Sequence, residues 1–142
     1  MLKPWVLAAR PKTLFAILAP IIIGLSLSYK ITYQINWLIA SMTLLSAILL
    51  QIGSNYANDA YDFIKGADNS AFRKGPQRMS QAGILEPHRI LNVMYFIFLI
   101  SVLIGYYLAS IGGWPIVAIG LVSIIFAIIY TGGPYPLGYN GL

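Results

Sequence analysis

Four stretches of the sequence, about Thr13 to Tyr29, Trp37 to Asn58, Ile90 to Ser110 and Trp114 to Thr131, are apolar over almost their whole length. A helix needs roughly 20 such residues to cross a hydrocarbon core. The segments are apolar on every side instead of alternating, so membrane β-strands are excluded and transmembrane helices remain. Composition agrees: 58% of the 142 residues are hydrophobic and only 9% are charged, too few to cover a water-soluble surface. The expected fold is all-α, a polytopic membrane helix bundle of about four spans. The basic residues before the first span resemble the start of a secretory signal, but no clear small-residue cleavage site follows and further spans do.

Lysine and arginine orient the bundle. Lys3, Arg10 and Lys12 precede the first span, and Lys65, Arg73, Lys74, Arg78 and Arg89 lie between the second and third; the remaining loops carry only Lys30. The positive-inside rule then puts the N-terminus and the Asn58 to Arg89 loop on the cytoplasmic side of the plasma (inner) membrane. The net charge of +5 reflects this bias, and no interleaved basic and aromatic pattern argues for nucleic acid. The chain has no cysteine, which rules out disulfides and thiolate metal sites. Residues 110–113, "SIGG", read as a tight turn between antiparallel helices, and Pro11 stands where a helix can start. The last stretch, "TGGPYPLGYNGL", is dense in turn formers and reads as a structured loop.

Three of the four acidic residues fall in one window, "NDAYDFIKGAD", residues 58–68. On a helix, Gln51, Asn55, Asn58, Asp59 and Asp62 share an arc of roughly 100°, so an apolar span carries one polar stripe. A carboxylate in the bilayer centre costs about 2.5–3.5 kcal/mol on insertion scales, so the stripe is expected to face the bundle or a watery cavity. Gly66 is the expected helix stop, letting Asp68 turn back toward Asp62. Converging carboxylates repel one another unless a cation joins them. Hard oxygen ligands, with no cysteine and a solitary His88, favour Mg²⁺ over zinc or copper. Such an ion is commonly held by one or two carboxylates together with substrate phosphates. The following "RKGPQR", residues 73–78, supplies arginine forks suited to phosphate oxygens. An acidic helix end, a basic loop and membrane burial together suit an amphiphile with a diphosphate head and a hydrocarbon tail, such as a polyprenyl diphosphate. Plainer roles exist for each part: acids at a helix end among headgroups, basic residues as topology anchors (Arg10 and Lys12 above all), and Gln51 or Asn55 as helix-packing groups. The rival classes are a channel or transporter with a polar stripe along an ion path, which gives the Gly-Pro-Arg loop no purpose, and a catalytically inactive membrane scaffold.

"NDAYDFIKGAD", "RKGPQR", the N-terminal "ARPKTL" and the terminal "YTGGPYPLGY" resemble, in this order along the whole chain, the UbiA-type intramembrane prenyltransferases. The later aspartate after "KG" and the TGGPYPLGY loop are most similar to the 1,4-dihydroxy-2-naphthoate polyprenyltransferases of menaquinone synthesis within that family. The resemblance implies Mg²⁺-assisted transfer of a polyprenyl group from its diphosphate onto dihydroxynaphthoate, with loss of the ring carboxylate as CO₂; a homogentisate or hydroxybenzoate acceptor is the alternative. It implies that Asn58, Asp59, Asp62 and Asp68 hold the metal and that Arg73, Lys74 and Arg78, helped by Lys65, neutralise the diphosphate. Tyr56, Tyr61, Phe63, Tyr130 and Tyr135 are candidates to shelter an allylic cation. Family members carry more helices and a second aspartate-rich motif in their later half. Residues 1–142 are therefore expected to correspond to the N-terminal part, ending before that motif and needing the later half for turnover.

Overall fold

The structure, a computed structural model, describes residues 2–67 and 78–141. Asp68, Arg73 and Lys74 lie outside the described residues. Every regular element among them is helical: α1 (Lys3–Ala9), α2 (Pro11–Leu14), a 3₁₀ turn (Phe15–Ile17), α3 (Leu18–Thr32), α4 (Trp37–Ile64), α5 (Pro87–Gly112), α6 (Trp114–Ile129) and a last 3₁₀ turn (Leu137–Tyr139). Three apolar helical stretches, Pro11–Thr32, Trp37–Ile64 and Pro87–Gly112, are long enough to cross a membrane. Trp114–Ile129, the fourth expected span, is apolar but shorter.

Local chemistry sets the ends. Asn36 starts α4 by accepting from the Leu38 and Ile39 N–H groups at 3.1 and 3.2 Å, a side-chain N-cap. At the other end Gly66, with φ +66°, supplies the left-handed residue that sequence reading assigned to it. Its N–H reaches the Phe63 carbonyl and the Ala67 N–H reaches that of Asp62, both at 3.0 Å, the paired bonds of a Schellman stop. Pro87 opens α5, and Gly113, at φ +82°, turns the chain from α5 into α6.

The bundle is organised around α4, which packs most extensively on α5. Gly53, Ala57 and Ala60 let the two backbones approach, and Ile90, Met94 and Phe98 fill the seam. The fit at Gly53 is tight: a Cβ there would stand 2.2 Å from the Phe98 ring. Further along the pair, the Ser46 and Ser101 hydroxyls share a hydrogen bond of 3.0 Å beside an apolar cavity of about 310 Å³ between α4, α5 and α6. Neither α3 nor α6 has a buried residue, so the outer surface is broadly apolar, as a bilayer-facing bundle requires.

The N-terminal helix docks on the opposite end of α4. The chain breaks at Arg10, a non-glycine residue in the left-handed region (φ 52°). Asn55 steadies that break by donating to the Ala9 carbonyl at 2.8 Å and to the Thr13 hydroxyl at 2.9 Å, while Thr13 donates to the Arg10 carbonyl. Tyr56 donates to the Trp5 carbonyl at 3.0 Å and meets its ring edge-on. Asn55 therefore serves packing, one of the two roles its place in the stripe allowed. With the Asp59 bonds to Met79 and Ser80 and the Thr131 and Tyr139 bonds to Asn58 and Asp62, these contacts gather α1, the end of α4, the start of the 78–86 segment and the loop after α6 at one end of the bundle.

Candidate active site

The last two turns of α4 bring the acidic stripe to that end. Asp62 is 4% exposed, and burying a carboxylate so deeply demands partners for its charge. It has two. Arg78 forms an ion pair with Oδ2, and the Tyr139 hydroxyl donates to Oδ1. Arg78 also donates to the Asn58 carbonyl oxygen. One guanidinium thus ties an acidic side chain to the helix that carries it.

Arg78 is itself buried, at 8% exposure. Burial, and then the neighbouring Arg10 charge, lower its pKa to about 10, while Asp59 and Tyr139 pull it upward. It stays cationic at neutral pH. Arg10, read from sequence as an orientation anchor, is thereby placed within electrostatic reach of the site.

Asp59, expected beside Asp62 at a shared cation, has both oxygens engaged elsewhere. Oδ2 accepts from the Met79 N–H at 3.0 Å and Oδ1 from the Ser80 N–H at 2.9 Å, and the residue is 1% exposed. The segment it meets is a compact turn: Ala82 N–H bonds the Arg78 carbonyl and Ile84 N–H that of Met79, both at 3.1 Å, with Gly83 at φ +67° ending it. Asp59 therefore caps the start of this turn from a neighbouring helix, fixing the backbone next to Arg78.

Asn58 lies one helical turn before Asp62, and its Oδ1 accepts from the Thr131 hydroxyl at 3.0 Å. Lys65, one turn after Asp62, donates to the Gly133 carbonyl and stands 6.0 Å from the Tyr139 ring centroid. Asn58, Asp62, Lys65 and Arg78 are thus brought together. The aromatic candidates are dispersed: Tyr56 packs on Trp5, Tyr61 shares a 3.2 Å hydroxyl contact with Tyr95, and Phe63, Tyr130 and Tyr135 are exposed. Sequence reasoning singled out the TGGPYPLGY segment but missed Thr131 and Tyr139. The available signal was two hydroxyl residues spaced across a Gly-Pro loop that returns to the same end as the acidic stripe.

Among the described residues no three His, Cys, Asp or Glu side chains gather as a ready-made metal cage. The oxygen donors one helical turn apart there, the Asp62 carboxylate and the Asn58 amide, are hard ligands, and Arg78 and Lys65 lie at the same end of α4. That set suits a cation whose remaining ligands are phosphate oxygens better than an all-protein site.

A buried carboxylate near a helix end is paired with an arginine, and a lysine follows one turn on, in a bundle of apolar helices. Residues 17–142 match the UbiA prenyltransferase family, and the chain belongs to it. The chain is 38% identical over 148 residues to the 1,4-dihydroxy-2-naphthoate octaprenyltransferase of Haemophilus influenzae, covering 99% of this chain and 48% of that protein. It is 35% identical to the enzymes of the same name from Mycobacterium tuberculosis, over 96% of this chain and 46% of that protein, and Escherichia coli, over 99% and 47%. The chain thus spans about half the length of these relatives. No solved structure gives a significant match.

Proposed function

We propose that this chain carries the first half of a prenyl-transfer site, in which the mouth of α4 binds the diphosphate head of a polyprenyl diphosphate and 1,4-dihydroxy-2-naphthoate is the acceptor. The acceptor follows from the names of the relatives. The head-group site is supported by one observation above the others: the buried Asp62–Arg78 pair, an acid and a base at the end of a membrane helix with Lys65 alongside.

In this reading the hydrocarbon tail lies among apolar helices and the head meets Arg78 and Lys65, joined by Arg73 and Lys74 from outside the described residues. The allylic C–O bond breaks with its electron pair leaving on the diphosphate, a C–C bond forms at the ring carbon bearing the carboxylate, and CO₂ departs. The arginines and lysine stabilise the negative charge that develops on the leaving group. Asp62 and Asn58, with Asp68, would hold Mg²⁺, which when bound supplies further charge neutralisation at the phosphate oxygens. Asp59 we assign instead to positioning Arg78. A transporter path is disfavoured because Asn55, Asp59 and Asp62, the stripe it would use, are buried and bonded to neighbouring segments. Turnover we place in the complete enzyme, with the later half supplying the second aspartate-rich motif.

The test is binding of geranylgeranyl diphosphate to the purified chain in detergent, with Mg²⁺ or with chelator. Expected is at least about tenfold tighter binding with the metal, lost in Asp62→Asn. Metal-free binding should persist in that variant, because removing the carboxylate leaves Arg78 to the anion. Affinity indifferent to both metal and substitution would overturn the reading.

A further inference from the structure

Asn58 and Asp62 on α4 and Lys65, the C-cap residue just past its end, stand at i, i+4 and i+7, one face of the helix, and the segment after α6 touches all three. Thr131 donates to the Asn58 side chain at 3.0 Å, Lys65 donates to the Gly133 carbonyl, and Tyr139 donates to Asp62. The loop is built to make these contacts. Thr131 is 3% exposed. The Gly138 N–H returns to the Tyr130 carbonyl at 2.9 Å, and a Cβ at 138 would stand 3.0 Å from the Tyr130 ring, so glycine admits the close crossing. The Tyr139 N–H and the Asn140 amide both donate to the Pro136 carbonyl, at 3.2 and 2.8 Å, closing the turn that aims the phenol.

We propose that the Thr131 and Tyr139 hydroxyls are positioning residues for the cation-diphosphate site, orienting the Asn58 amide and the Asp62 carboxylate toward the ion. This rests on the reading of the α4 mouth given above. The terminal torsions of Asn and Asp are broad and roughly two-fold, so an unsupported amide or carboxylate presents its oxygens poorly. A donor held on one lone pair fixes the plane of the group: the Asn58 Oδ1 keeps its second lone pair, and the Asp62 carboxylate keeps its other oxygen for exchange. Tyr139 sits on Oδ1 of Asp62; Oδ2 is held by Arg78, a cation that phosphate can draw away. Loss of an outer partner of this kind typically costs about 10–100-fold in metal affinity.

The test uses the whole 142-residue chain in detergent, titrated with an equimolar mixture of Mn²⁺ and inorganic pyrophosphate and read by the electron paramagnetic resonance of protein-bound manganese. Tyr139→Phe keeps the ring over Lys65 and removes only the hydroxyl; Thr131→Val removes the other, and Thr131→Ser restores it. Expected is a loss of apparent affinity of about tenfold in Tyr139→Phe and Thr131→Val, with recovery in Thr131→Ser. Binding of metal-free pyrophosphate should be unchanged in all three, since it depends on the basic side chains; a merely structural lesion would weaken both titrations. Wild-type manganese affinity in Tyr139→Phe and Thr131→Val, alongside its loss in Asp62→Asn, would overturn this inference and leave the site reading standing. Failure of the unaltered chain to bind the manganese-pyrophosphate complex would overturn both. Should Thr131→Val not fold, Tyr139→Phe decides alone.

Discussion

Asp59 and Asp62 lie three residues apart on one helix and do different work, because their neighbours differ. Asp62 meets a guanidinium and a phenol; Asp59 meets two backbone N–H groups and becomes part of the scaffold. Replacing Asp59 by alanine strands the Met79 and Ser80 donors in the interior, at about 1–3 kcal/mol each. Faster amide exchange across residues 79–85 and weakened anion binding through a displaced Arg78 are the expected result in Asp59→Ala, with Asp59→Asn less affected. Hydrogen-exchange mass spectrometry checks the first and pyrophosphate titration the second. Unaltered exchange would refute the capping role. The lowered pKa of Arg78 gives a pH signature as well. A base loses its charge as pH rises through its pKa, so the Arg78-dependent part of anion binding should hold level from pH 7 to about 9 and fall near 10. Comparing pH titrations of the wild type and Arg78→Gln isolates that part. The polar stripe itself was legible in the sequence, since helical periodicity alone generates it. That Asp59 would be taken up by the scaffold was not, because that depends on backbone donors twenty or so residues away.

The helices were largely readable from hydropathy and end signals. Asn36, Gly66, Pro87 and the glycines at 112 and 113 mark boundaries by local chemistry, which needs no tertiary context. The expected limits differ at the fourth stretch, where Trp114–Ile129 is shorter than a span. Helix α4 runs on past the apolar stretch to Ile64, as the Gly66 stop predicts, and the polar groups of its last turns are satisfied by Arg78, Thr131 and Tyr139. The first span begins with a broken entry instead of a plain one, since Asn55 and Tyr56 hold α1 against α4 around the left-handed Arg10. Between α4 and α5 the deciding contact is Gly53 against Phe98. A methyl group at 53 must push the ring aside, an overpacking cost of typically 1–3 kcal/mol. Gly53→Ala should therefore lower the thermal midpoint by several degrees, and adding Phe98→Leu should recover part of the loss. Additive losses in the double variant would exclude this contact as the cause.

At the scale of the molecule, charge and connectivity agree on two unlike ends. One carries α1, Lys65, Arg78 and the loop after α6; the other carries the short turns at 33–36 and 112–113. The excess of Lys and Arg at the first end leads us to assign it to the cytoplasm. Because the chain lacks cysteine, single replacements report cleanly: Ile84→Cys should react with an impermeant maleimide only in inside-out vesicles, and Tyr33→Cys only in right-side-out ones. The reverse pattern would invert the orientation. The partners of the α4 mouth are also far apart in the chain, with Asn58 and Thr131 separated by 73 residues and Asp62 and Tyr139 by 77. A ribosome releases the acidic helix well before it makes the hydroxyls that complete it. The growing protein must hold a half-satisfied anion at the bilayer rim until the α5–α6 hairpin has been threaded in, so the mouth is the last part of this unit to mature.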